Sequence, residues 1–386
     1  MKKTFIVSAV AALMATQSAF AEDFKIGVVS AKTGFLAAYD APFMQGVHMY
    51  ADEANANGGL LGKYPIDIVE RDDGSDLQKT TVLTAEVLAA NADLNMAITS
   101  ALTPMAIAGG IQTLTQGMLT MHGIASQPTI PARLGEGSYL VMMSDAHMGG
   151  VYAKYAADQG LKSAYLVTSD FDPYTEFMPL YFAEKFEEYG GTVAGQSNFA
   201  YDQQEFSSVV AEIKALPEEP EIIFGMPMDN DFPIFIQQLR AAGIKSTYFG
   251  PDILDLPSVK ALGPVVDGVL YVTMAAPQAS DEAGAFIQSY EEKFGNSDSA
   301  YPAMVGYSAM QMVAQAAEDA GTIEKGALRA AFGKLTGVPT KIGLVTFDGF
   351  GALPNLPVHI MKIQDGVGEH VTSIKLTGEE LPAPRN

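Results

Sequence analysis

Apolar residues along this chain come in short runs separated by stretches of helical periodicity. Phe24–Ser30 is apolar almost throughout and predicts a buried strand. Phe43, Val47, Tyr50 and Ala54 then fall at helical spacing before Asn57-Gly58-Gly59 stops the run. The unit repeats: strands are expected at Ile66–Glu70, Asn95–Thr99 and Met118–His122, with helices at Asp76–Ala90 and Thr103–Gln116 between them. Such alternation is the mark of a parallel sheet covered by helices on both faces.

A second series follows, with strands at Ala164–Ser169, Thr192–Ala194, Glu221–Gly225 and Thr247–Gly250. Its helices are expected at Ala146–Gln159, Tyr174–Tyr189, Phe206–Ala215 and Asp231–Ala242. A strand at Gly268–Thr273 then leads into three helical stretches, Asp281–Phe294, Ala303–Ala320 and Ile323–Leu335. The tail turns to β structure at Lys341–Phe347, Pro357–Gln364 and Val371–Leu376. If the late helices complete the first unit and the tail returns to the second, the chain crosses between lobes three times. The crossings are expected near Met143–Asp145, Thr273–Ala276 and Thr346–Asp348. The predicted fold is therefore α/β, two doubly wound lobes joined by a three-crossing hinge: residues 22–144 with 274–346, and residues 145–273 with 347–386. A cleft between such lobes is a natural ligand site.

Ahead of the first strand, Lys2-Lys3, an apolar stretch from Phe5 to Ala15 and a small-x-small ending at Ala21 read as a cleavable secretory signal. The apolar core is roughly half the ~20 residues that a membrane span needs. A mature chain beginning at Glu22 and released into the periplasm is expected.

Composition narrows the chemistry. The 386 residues carry a formal charge of −22, which disfavours a nucleic-acid partner. Zero cysteines exclude disulfides, thiolate metal sites and thiol nucleophiles, and the five histidines stand singly among apolar neighbours. Gly27–Thr33 resembles a phosphate loop, but Ala31 stands where the glycine before Lys-Thr belongs, and Gly349-Phe350-Gly351 meets Pro354 where a dinucleotide motif needs its third glycine. No hydrolase elbow or metalloprotease pair is present. No cofactor, metal or catalytic group is expected.

The loops after the strands remain, where ligands bind in open α/β sheets. Tyr39 follows the first strand. Ser100-Ala101-Leu102-Thr103-Pro104 follows the third, with Thr103 as a plausible N-cap whose helix end could hold a carboxylate. Ser126 lies in Gly123–Pro128 after the fourth. In the second unit the corresponding loops carry Asp170 and Asp172, Asp229 and Asp231, and Asp252. Most of these acids read as helix caps; Asp252, ahead of a short helix, is the one expected to face the cleft.

Taken in order, these segments resemble the periplasmic branched-chain amino acid binding proteins, the type I solute-binding proteins of ABC importers. The resemblance rests on KIGVVSAKTGFLAAYD (Lys25–Asp40), ANANGGLLG (Ala54–Gly62), ERDDGSD (Glu70–Asp76), QQEFSSVVAEI (Gln203–Ile213), LRAAGIKSTYFGP (Leu239–Pro251) and VTFDGFG (Val345–Gly351). It implies a periplasmic receptor that delivers a small solute, foremost an apolar or branched-chain amino acid, to an inner-membrane ABC permease. The resemblance further implies a carboxylate held by Ser100–Thr103 and Ser126 with Ile124 offering backbone, an ammonium held by Asp252, and a side-chain pocket lined by Tyr39 and Tyr174. The family's hydroxyl after the third strand falls on Leu102 or Thr103 depending on register. Met228 or Pro227 stands where the family often has a tyrosine. Another small amine or carboxylate ligand, and a sensor role, stay open; a secreted amidase using Asp252 and Ser126 has no motif behind it. A monomer is expected.

Overall fold

The structure is a computed structural model and describes residues 22–228, 230–276, 280–297, 299–347 and 356–385. The signal segment, Asp229 and Asp348 lie outside the described residues.

The first sheet holds β1 (Phe24–Ser30), β2 (Ile66–Asp72), β3 (Met96–Thr99), β4 (Leu119–Met121) and β5 (Ser138–Tyr139), all parallel in the order β2-β1-β3-β4-β5. Helices α1 (Ala37–Ala56), α2 (Leu77–Ala90), α3 (Thr103–Thr115) and α4 (Thr129–Leu134) connect these strands, and α5 (Asp145–Asp158) leads out of the unit. The apolar run of β1 matches its expected limits, with six of its seven residues buried, as a strand covered on both faces requires.

The second sheet takes β6 (Ser163–Thr168), β7 (Thr192–Asn198), β8 (Ile222–Gly225), β9 (Thr247–Phe249) and β10 (Leu270–Thr273) in parallel. Between them run α6 (Pro173–Glu188), α7 (Ser207–Lys214), α8 (Asp231–Ala241) and the short α9 (Pro257–Lys260). The chain continues through α10 (Asp281–Phe294), α11 (Ala300–Ala320), α12 (Lys325–Phe332) and a small hairpin, β11 (Val338–Thr340) with β12 (Gly343–Val345). It then adds β13 (Val358–Gln364) and β14 (Val367–Ile374) antiparallel at the β10 edge, giving the order β14-β13-β10-β9-β8-β6-β7.

Helix α11 lies against α1, and the two backbones touch: a methyl group added at Gly46 would stand 1.8 Å from the Ala303 carbonyl oxygen, and one at Gly306 2.0 Å from that of Phe43. The Tyr307 hydroxyl closes the contact with a 2.6 Å bond to Glu53. Phe332 and Phe347 pack on Tyr139 of β5.

Several expected limits shift. Strand β7 runs on to Asn198 and β14 begins at Val367, not Val371. Both are edge strands with largely exposed, polar positions, so backbone pairing rather than apolar side chains defines them. The expected strand Lys341–Phe347 shortens to β12 and belongs to neither main sheet. Strand β5 and helix α4 are too short to carry a period. Among the described residues, no helix is long and apolar enough to cross a membrane.

Candidate functional site

The C-terminal ends of the two sheets face each other across a cavity of about 70 Å³. From the first sheet come Phe35, Leu36 and Tyr39 after β1, Ala101, Leu102 and Thr103 after β3, and Ile124 and Ser126 after β4. From the second come Asp172 and Tyr174 after β6, Met228 after β8, and Asp252 and Ile253 after β9. Eight of the nine residues expected from the sequence therefore meet in one cavity. Ser100 does not join them, because its hydroxyl donates at 2.5 Å to Asp40.

Asp40 explains how the first half of the site is held. It lies buried in the first turn of α1 and accepts from the Ala31 amide at 2.9 Å, the Ala101 amide at 3.0 Å and Ser100. One carboxylate thus ties the loop after β1 to the loop after β3. Burial pushes its pKa up to about 7, against the opposing effect of these three donors. The acidic motif after β2 braces the same loop: Asp72 accepts from the Lys32 and Thr33 amides and the Thr33 hydroxyl, and Ser75 Oγ accepts from the Leu36 amide. Gly34, at φ +84°, approaches Ser75 so closely that a side chain there would collide with it.

At α3 the expected capping role of Thr103 gives way. Leu102 occupies the cap and has no side chain able to accept, while Thr103 is the first helical residue. The helix end is capped from the other side of the cavity. Asp172 accepts from the Thr103 amide at 3.1 Å and from its hydroxyl at 2.9 Å, while it also caps its own helix α6 through the Tyr174 amide at 2.9 Å. Two helix N-termini share one buried carboxylate, a favourable place for negative charge. Burial nevertheless raises the Asp172 pKa.

Asp252 sits at the opposite wall and is 4 % exposed. Its carboxylate accepts from the Tyr174 hydroxyl at 2.8 Å and from the Tyr301 hydroxyl at 3.3 Å, the latter reaching in from α11. Burial pushes its pKa up to about 6, and the two phenols hold it from rising further. Behind both acids lies Asp145 at the start of α5. Its side-chain oxygens are buried without a hydrogen bond of normal geometry, though the Ser126 hydroxyl stands near enough to offset part of the rise that burial imposes on its pKa.

The remaining lining is apolar or aromatic. Phe35, 37 % exposed, meets Phe171 edge-on at 5.9 Å between ring centres, and Phe171 stacks on Tyr201 at 4.2 Å. This aromatic group joins the two sides of the cavity. Of the other acids after second-sheet strands, Asp170 is exposed and Asp231 accepts from the Asp202 and Gln204 amides.

Sequence reasoning left Tyr301 and Asp145 out of the site and gave Asp172 only a cap. The Asp-Pro pair at 172 and 173 does signal the cap. Its second partner lies 69 residues away in the chain, and Tyr301 lies 49 residues from Asp252, distances at which no local pattern operates.

A family model described as periplasmic binding protein matches residues 23–367. Among curated relatives, a Leu/Ile/Val-binding protein homolog from Brucella melitensis biotype 1 is 24% identical over 369 residues, which cover 94% of this chain and 96% of the relative. The crystal structure of a leucine-binding protein from Thermotoga maritima has the same fold, with a TM-score of 0.82, 20% identity and coverage of 93% of this chain and 100% of that one. A solute-binding protein of an ABC transporter from R. palustris, solved with benzoate, gives a TM-score of 0.78 at 21% identity, covering 93% and 97%.

Proposed function

The chain belongs to the periplasmic binding protein family, and from that premise we propose that it is the substrate-binding component of an ABC importer. Its solute carries an ammonium on an apolar body. The observation behind this reading is Asp252, a buried carboxylate facing the cavity, held by one phenol from α6 and one from α11. The ammonium pairs with Asp252, and the apolar part lies against Tyr39, Tyr174 and Met228, where methionine adapts to shape. Apolar amino acids and apolar amines both answer to that description.

The lobes are residues 22–144 with 274–346 and residues 145–273 with 347–386, and the three strands of chain between them act as a hinge. Contacts such as Thr103 to Asp172 exist only while the lobes are together, so ligand affinity and closure are coupled. The closed form is what an inner-membrane permease receives. Export through a signal ending at Ala21, a monomeric state and the absence of any chemical step on the solute complete the proposal. Mass spectrometry of solute retained by freshly purified protein tests it; a reaction product formed from that solute would refute the binding role.

The shift at Asp252 gives a pH test. In the free protein its pKa lies at about 6, above the ordinary 3.8, so the folded state takes up a proton more readily than the unfolded chain. Its contribution to stability is therefore favourable at low pH and is lost as pH rises toward 6. A cationic ligand needs the ionised form and works in the opposite sense. With Tyr174 and Tyr301 donating to the ionised form, binding is expected to be about tenfold weaker at pH 5 than at pH 7 and nearly level above pH 7. Calorimetric titrations across that range read it directly, and an affinity independent of pH would remove Asp252 from the pairing.

A further inference from the structure

We infer that the solute is an amine without a carboxylate, because Asp172 already fills the helix end at which an amino acid's carboxylate would be held. The inference rests on the cavity being the solute site and narrows the class it takes.

A carboxylate entering the cavity needs donors, and those after β3 are engaged from within the chain. The Thr103 amide and hydroxyl both donate to Asp172, and the Ala101 amide and Ser100 hydroxyl both donate to Asp40. Asp172 is not easily turned out. Its backbone amide takes part in a capping box with Thr175, its side chain caps α6, and away from Thr103 it would be a buried carboxylate with half its partners gone.

Charge points the same way. Among the described residues lining the cavity there is no lysine, arginine or histidine to neutralise a second anion, whereas Asp172 and Asp252 both face it. Asp145 adds a third buried carboxyl behind them, with the Ser126 hydroxyl beside it. An added carboxylate would meet two acidic side chains, while an ammonium finds acceptors in both. The formal charge of −22 also favours the approach of cations over long range. A leucine or phenylalanine would thus bring one half that suits the site and one half that does not.

Two matched series separate these chemistries: 3-methylbutylamine, leucine and 4-methylpentanoate, and 2-phenylethylamine, phenylalanine and 3-phenylpropanoate. In calorimetric titration of the mature protein near pH 7.5, the better amine is expected to bind at least 30-fold more tightly than its amino acid, and the acids to show no binding. An amino acid or acid that binds as well as the amine overturns the inference and leaves the solute-binding reading standing. Binding of none of the six overturns the inference, and if no retained solute is found in the purified protein the solute-binding reading falls with it.

Asp172→Asn supplies the second arm, since asparagine keeps the α6 cap while removing the charge. The ratio of leucine to amine affinity is expected to move at least tenfold toward leucine, with the melting temperature confirming an intact fold. A ratio that stays where it was in the parent protein overturns the assignment of Asp172.

Discussion

Asp252→Asn is expected to weaken solute binding by about 2–4 kcal/mol, roughly 30-fold to 1000-fold, while the melting temperature of the unliganded protein stays level or rises. The two effects have one cause. Asp252 is buried and its ionisation is resisted by burial, so the free protein carries a carboxylate that is uncomfortable until a cation arrives. Asparagine keeps the shape, its one amide oxygen can still accept from Tyr174 and its NH2 can donate to the Tyr301 oxygen, but it cannot neutralise an ammonium. Loss of affinity without loss of stability separates a ligand contact from a structural one. Tyr301→Phe, which removes one donor and leaves the charge, should cost less, on the order of 1–2 kcal/mol. Titration calorimetry beside thermal melting measures both, and native affinity in Asp252→Asn would transfer the pairing to Asp172 or Asp145.

Gly306→Ala is expected to have the largest effect on the fold. In an exposed helix the change would stabilise by roughly 0.5–1 kcal/mol, since glycine is the poorer helix former. Here the new methyl would fall 2.0 Å from the Phe43 carbonyl oxygen, a backbone atom of α1 that cannot swing aside. The helices must separate, and overpacking of this kind costs about 3 kcal/mol or more. Gly46→Ala meets the same barrier from the facing helix. Gly326→Ala, near the start of α12 with its nearest neighbour a flexible Glu324 side chain at 3.4 Å, serves as the control and should melt slightly higher. If Gly306→Ala melts with the parent, the two helices are not in backbone contact.

Much of this architecture is legible from side-chain periodicity, and its gaps have physical causes. Strand β1 and helix α10 fall at their expected limits because a doubly covered strand and an amphipathic helix each impose a strong period. Strand β14 loses four residues in the reading because an edge strand with one face in solvent tolerates Gly368 and Glu369. The cavity is legible for a different reason: ligands sit at the C-terminal ends of parallel strands, so knowing the strands locates Tyr39, Thr103, Ser126 and Asp252. What stays hidden is how polar groups pair between distant segments of the chain. Ser100 looks like a free hydroxyl until Asp40 is seen beside it, and Asp172 looks like an ordinary cap until Thr103 arrives from the facing loop. Hydrogen-bond partners are chosen by tertiary proximity, which residue type alone does not encode.

The meeting of α1 and α11 also bears on the order in which the molecule can be made. Tyr307 and Glu53, which bond across that contact, are separated by 254 residues, so a ribosome finishes α1 long before its partner exists. Until then the glycine face of α1 has nothing to lie on, and the first sheet lacks one of its covering helices. Closing so long a loop is slow, and contacts of such sequence separation form late. The first unit therefore becomes rigid along this face only after α11, from the last quarter of the chain, has been made.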